Sequence, residues 1–143
     1  MDLLFICRDG LASSLISNLV LAMEAKKAGT NVGVLFTQEA LAALCGGVFG
    51  WPRELAEQEK RYKMADNAAT LGLPVMGGKG DGRQINVRQM IVAAREASVP
   101  MFACPTWTVL LDLKGGLPEG IAETDLSETL KMISETNRVI GTF

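Results

Sequence analysis

Apolar positions along the chain follow two rhythms, and their alternation predicts a βαβα framework. Leu3 to Cys7 and Val32 to Phe36 are short, unbroken apolar runs. Such runs suit strands covered on both faces, as in a parallel sheet. Between them Leu15, Ile16, Leu19, Val20 and Met23 recur at helical spacing, with Ser13 or Ser14 as candidate N-caps and Gly29 as the stop. Thr37 is placed to cap a short helix carrying Leu41, Ala42 and Leu44, which Gly46-Gly47 ends. This opening is the signature of a right-handed, doubly wound sheet.

The middle of the chain is less regular. A loop from Gly46 to Pro52 holds Phe49 and Trp51, and a charged helix is predicted from about Arg53 to Thr70. Leu55, Tyr62 and Ala69 lie seven apart there and define a narrow inward stripe, with Gly72 closing the helix. Leu73 to Met76 reads as a third strand and Gly77 to Arg83 as a surface loop. That loop has neither the spacing nor the Ser/Thr of a Walker A loop, although Lys79 and Arg83 could reach an anion.

Regularity returns with Val87, Met90, Ile91 and Ala94 on one helix face behind Asn86 as cap. Val99 to Cys104 is a fourth strand, with Pro105 in the first position of the following helix. That helix passes through Trp107, Leu110 and Leu111 to Gly115-Gly116. Asp125 with Glu128 three residues on opens a last helix bearing Leu126, Leu130 and Ile133, and Arg138 to Phe143 supplies a fifth strand. Residues 1–143 therefore read as one domain, a three-layer α/β/α fold on a mostly parallel five-stranded sheet.

Composition narrows the chemistry. With 143 residues the chain can bury a full core without a metal or disulfide staple. A formal net charge of −2 offers no basic field for direct nucleic-acid binding. The absence of histidine removes Ser-His-Asp and Cys-His catalysis and the commonest metal ligand. Three cysteines in no CxxC spacing point to reduced thiols in a cytoplasmic protein, not to a zinc site or a disulfide framework. No apolar run reaches the length of a membrane span, and no signal-peptide pattern opens the chain.

Two cysteines end strands. Cys104, just before Pro105, falls at the start of a helix, where unpaired N–H groups favour a thiolate. Its structural alternative is a strand-end thiol acting as a small hydrophobe. Cys7 opens Cys7-Arg8-Asp9-Gly10-Leu11-Ala12-Ser13-Ser14. This segment is loosely similar to the phosphocysteine loop of sugar phosphotransferase IIB domains, and equally reads as a tight turn with Ser caps. A 3-2-1-4-5 strand order would make the two thiols neighbours, whereas 2-1-3-4-5 would part them. Cys45 sits on an apolar helix and reads as core. Trp51, Trp107 and Phe49 suit either an oligomer interface or the core.

The opening strand, the Leu15–Met23 helix, Gly29 and the run from Val32 to Thr37 resemble the first half of DsrE-like proteins. Met101-Phe102-Ala103-Cys104-Pro105-Thr106-Trp107, followed by Leu110 to Leu113, resembles the strand–cysteine–helix element of the DsrE/DsrF/DsrH and Tus sulfur-relay proteins. The resemblance implies a flavodoxin-like fold, homo- or hetero-oligomers such as trimers or hexamers, and a persulfide carried on Cys104. It implies exchange with sulfur donor and acceptor proteins and no metal or organic cofactor. Cys7, Gly10, Pro105 and Thr106 would line the pocket, with Cys7 as a resolving thiol if adjacent. Pro105 and the long charged segment from Gly46 to Thr70 depart from the family pattern. Two other expectations stay open: a non-catalytic oligomeric subunit or ligand-binding module, and phosphocysteine or peroxide chemistry at Cys7 or Cys104.

Overall fold

The computed structural model describes residues 1–77 and 82–141. In chain order the elements are β1 (Leu3–Cys7), α1 (Ala12–Lys27), β2 (Val32–Phe36), α2 (Gln38–Gly46) and α3 (Gln58–Ala68). There follow β3 (Val75–Met76), β4 (Gln84–Ile85), α4 (Val87–Glu96) and β5 (Met101–Ala103). The chain ends with α5 (Pro105–Leu110), β6 (Ile121–Glu123), α6 (Leu126–Glu135) and β7 (Arg138–Ile140). Short 3-10 turns at Arg53–Leu55 and Ala69–Leu71 flank α3, where sequence periodicity predicts one continuous helix.

Five parallel strands form the main sheet in the order β6-β5-β2-β1-β7, the flavodoxin-like α/β architecture expected. The order itself matches neither expected alternative. The Leu73–Met76 segment is not in this sheet: β3 pairs antiparallel with β4 in a separate hairpin. Its place is taken by β6, an Ile-Ala-Glu strand that pairs with β5. Only Ile121 of β6 is buried, so its pattern carries too little apolar signal to mark a strand. β1 and β5 are thus separated by β2, and their cysteines are not on neighbouring strands.

β2 is buried at every position because strands flank both its edges. Its register sets two faces. Phe5, Cys7, Val34, Phe36, Met101, Ala103 and Ile121 join the core with Leu15, Leu19 and Ala22 of α1 and Met90, Ile91 and Ala94 of α4. The opposite face carries Leu4, Gly33, Leu35, Phe102 and Ala122, and is covered by α6 near Phe102. The run β1-β2-β5-β6 advances in one direction, and α6 then returns the chain across the sheet to β7 beside β1. That reversal puts α6 on the face opposite α1 and α4, completing the third layer.

Local signals explain most helix ends, with two corrections. The α1 cap position is Leu11, not Ser13 or Ser14. The Ser14 hydroxyl donates instead to the Asp9 carboxylate at 2.9 Å, and Asp9 also accepts the Leu11 N–H at 3.0 Å. Thr37 holds the α2 cap position, but its hydroxyl makes no capping bond. Asn86 caps α4 through the Gln89 N–H at 3.2 Å. Asp125 and Glu128 form the reciprocal capping box expected of α6. α3 buries Ala65 and Ala68, not the 62/69 stripe.

Helix α6 differs most from its sequence reading. Thr129 is buried, while Leu126 and Leu130 stand 62% and 67% exposed. The leucine pair marks the outer face of the helix. Of the Gly77–Arg83 loop, residues 78–81 lie outside the described residues. Among the described residues no helix is long and apolar enough to cross a membrane.

Replacing Asp125 by Ala removes the acceptor of the Glu128 N–H at the head of α6 and leaves the backbone N–H of residue 125 as the remaining half of the box. The substitution is expected to cost about 1 kcal/mol, read as a lower urea midpoint at unchanged slope.

Candidate functional site

Cys104 is the first residue beyond β5, and three bonds fix its backbone. Its N–H donates to the Phe36 carbonyl at 2.9 Å, extending the β2–β5 ladder by one rung. Its carbonyl accepts the Thr108 N–H and the Thr108 hydroxyl, each at 2.9 Å. One residue earlier, the Ala103 carbonyl accepts the Thr124 hydroxyl at 2.9 Å. The Thr124 oxygen also lies 2.9 Å from the buried Thr129 hydroxyl. A hydroxyl has one proton to give, so Thr129 donates to Thr124 while Thr124 donates to the carbonyl.

Pro105 takes the first helical position as expected, and Cys104 holds the N-cap position with φ −63° and ψ 123°. The Cys104 side chain makes no capping bond. Its thiol is free and the residue is half-buried at the carboxyl edge of the sheet. Thr106 is exposed beside it, and Trp107 turns back to pack against the core. Pro105, Thr106, Val109, Leu110 and Leu126 line a shallow groove of about 720 Å³ between α5 and the start of α6.

Cys7 is a different kind of thiol. It is 2% exposed and belongs to the core cluster. Burial, reinforced by the negative charge of Asp9, pushes its pKa up to about 12; the nearby Asn18 amide offsets this in part. Asn18 is itself fully buried, and beyond this contact with Cys7 its side-chain amide has no hydrogen-bond partner among the described residues. Gly10 serves the turn: its carbonyl accepts the Gly50 N–H at 2.9 Å, and a side chain there would press on the Glu39 carbonyl of α2. Asp9, Gly10 and Ser14 thus account for the 7–14 segment as a tight turn.

The structure does not bring Cys7 and Cys104 into one crevice. Register aligns Cys7 with Phe36 and Phe36 with Ala103, so β2 intervenes and the strands lie about 9.6 Å apart. Cys45 is half-buried on α2, and burial raises its pKa too. Phe49 and Trp107 pack partly buried against the core. Thr108, Thr124 and Gln38 escape sequence reasoning. Thr124 acts on a carbonyl of another strand, Thr108 on the Cys104 carbonyl at the head of its own helix, and Gln38 adopts φ +53° one residue past Thr37, a strained conformation at the same carboxyl edge.

No protein-family model matches the chain, and no curated protein matches it in sequence. Among solved structures it is similar to the YchN protein of E. coli. The two superpose over 99% of each chain with a TM-score of 0.59 and 19% sequence identity. The likeness establishes a shared α/β fold, continuous from one end of the chain to the other.

Cys7 also predicts a pH dependence. Below about pH 9 its thiol is protonated in both folded and unfolded chains, and its contribution to stability is complete. Between the ordinary value of 9.0 and about 12 the unfolded chain ionises first, so stability falls as pH rises. The full shift corresponds to about 4 kcal/mol. A Cys7→Ala variant is expected to start less stable and to decline less steeply over that window, in urea titrations at stepped pH.

Proposed function

We propose that this chain is a sulfur carrier of the DsrE-like type, with Cys104 as the residue that holds the persulfide. The observation that carries the reading is the contrast between the thiols. Cys104 is half-exposed at the mouth of a strand-to-helix junction, whereas Cys7 is sealed in the core. The resemblance of the Met101–Trp107 segment to the cysteine element of sulfur-relay proteins supports it. So does a fold shared end to end with YchN.

The chemistry is an exchange at sulfur. The Cys104 thiolate attacks the sulfane sulfur of a donor persulfide, R–S–SH. A bond forms from Cys104 Sγ to that sulfur, the donor S–S bond breaks, and the donor leaves as RS⁻. Cys104–S–SH then surrenders the same atom to an acceptor thiolate by the same step in reverse. Atoms and charge balance without a metal or an organic cofactor. A reducing cytoplasm suits the free thiols. The junction suits such an exchange because its backbone is pinned by Phe36, Thr108 and Thr124 while Cys104 is only half-buried.

The groove beside Cys104 supports a protein partner or a second copy of the chain. Val109 and Leu110 of α5 stand 71% and 65% exposed, and Leu126 and Leu130 of α6 are similarly bare. Val109, Leu110 and Leu126 line the groove that begins at Pro105, next to the cysteine, and make a patch of the kind that associating proteins cover. The same patch would serve the second reading, in which the chain is an oligomeric subunit without transfer activity.

Incubation of the reduced protein with polysulfide, followed by mass mapping, is expected to add one sulfur atom on Cys104, lost in Cys104→Ser. Absence of the adduct, or equal labelling of Cys7 and Cys45, would defeat the carrier reading. Phosphoryl or peroxide chemistry would instead appear as a phosphoryl adduct or stepwise oxygen additions. The paired change Val109→Glu with Leu126→Glu is expected to dissociate the oligomer in light scattering while leaving the circular dichroism spectrum unchanged. A wild type that is monomeric at high concentration would remove the homo-oligomer arm.

A further inference from the structure

A second cleft, between α2 and α4, has a composition that the sulfur chemistry does not use. It encloses about 380 Å³ between α2, the turn after it, α4 and the Pro118–Glu119 segment. Arg88, Ile91, Val92 and Arg95 of α4 line one wall. Their spacing of three, four and seven puts them on one helix face, so two guanidinium groups bracket an apolar middle. Leu44 and Phe49 line the wall opposite.

The two arginines differ in charge balance. Arg95 pairs with Glu119, Nη1 to Oε1 at 2.8 Å, and its aliphatic stem packs where a Cβ on Gly120 would stand. Arg88 makes no hydrogen bond or ion pair with any described residue, although it lies in the first turn of α4, where the helix already presents its positive end. Its guanidinium lies directly over Gly47. Gly47 has φ +71°, and a Cβ there would occupy the same space as the guanidinium. The turn that ends α2 thus leaves exactly the room this side chain fills.

We propose that this cleft binds a small amphipathic carboxylate, its head on Arg88 and its apolar body between Leu44 and Phe49 on one side and Ile91 and Val92 on the other. A planar guanidinium fork is the natural partner of a carboxylate. One uncompensated cation beside an apolar floor fits a monoanion with a hydrocarbon body better than a highly charged, fully polar phosphate ester. The volume is at the small end of ligand sites, which limits the guest to a short-chain or single-ring acid. The site stands independently of the sulfur-carrier reading, since neither Cys104 nor its groove takes part.

The test is a ¹⁵N-resolved NMR titration of the full chain with hexanoate, beside acetate and hexan-1-ol as controls. Hexanoate is expected to shift the amides of residues 44–49 and 87–95 saturably, with both controls at least about tenfold weaker, the discrimination worth a charged hydrogen-bonded pair. Arg88→Gln is expected to weaken hexanoate about tenfold or more and to leave hexan-1-ol unchanged; because Arg88 is exposed and unbonded, the variant should keep the parent spectrum elsewhere. Saturable shifts located at other residues, equal binding of the alcohol, or full hexanoate affinity in Arg88→Gln would each overturn the proposal. Loading of Cys104 in the same Arg88→Gln protein is expected to be unaffected, which separates this site from the sulfur chemistry.

Discussion

The burial of β2 is the constraint from which the rest of the structure follows. Every residue of Val32–Phe36 is enclosed, so neither face nor edge of this strand can meet water. Each backbone N–H and carbonyl along it therefore has to be met by a neighbouring strand, because an unpaired buried group costs as much as a lost hydrogen bond. β1 and β5 meet that demand in parallel register. The last rung is the Cys104 N–H on the Phe36 carbonyl. The cysteine is thus placed by the need to satisfy the end of the most buried strand. The chain then turns at Pro105, which has no N–H to contribute to a further rung.

The second half of the scaffold settles what surrounds that cysteine. Thr124 follows β6 and Thr129 begins the inner face of α6, and their hydroxyls form a relay ending on the Ala103 carbonyl. A carbonyl at the end of a parallel strand would otherwise look to solvent or to a helix cap. Here it is taken up by the next strand's exit loop, which ties α6 to the junction. The helix consequently leaves Leu126 and Leu130 exposed, with Leu126 lining the groove that Val109 and Leu110 begin. The apolar surface beside the cysteine is a by-product of the orientation that the threonines impose.

Legibility in the sequence tracked how much of an element's signal is its own. β1, β2 and β5 are unbroken apolar runs and were readable, as were Asn86, Pro105 and the Asp125–Glu128 box, whose effects act within three or four residues. Leu73–Met76 has a strand's composition but pairs locally with β4, and Val75 and Met76 are 40% and 43% exposed. Conversely, Ile121–Glu123 is a strand only because β5 offers an open edge, a fact no window of sequence contains. Leu126, Leu130 and Ile133 share the spacing of a core stripe, yet the core is met by Thr129, whose partner is fixed by tertiary contact. Cys104 itself was legible from its place before Pro105. The threonines that hold it were not, since Thr124 acts across 21 residues.

The same logic explains why a chain without histidine can still separate its thiols chemically. The chain has no histidine to serve as an adjacent base, so the distinction comes from burial and access. Cys7 and Ala103 lie level on the sheet, and one residue further along β5 the chain leaves the core. That single step separates a thiol held protonated by its surroundings from one that solvent and partners can reach. Exchange at sulfur needs the attacking, central and leaving atoms to approach in line, which a core position forbids whatever its pKa. An edge position next to an apolar groove permits it, provided the backbone does not yield when a partner docks. The Phe36, Thr108 and Thr124 bonds supply that resistance, which is what the proposed carrier role asks of the junction.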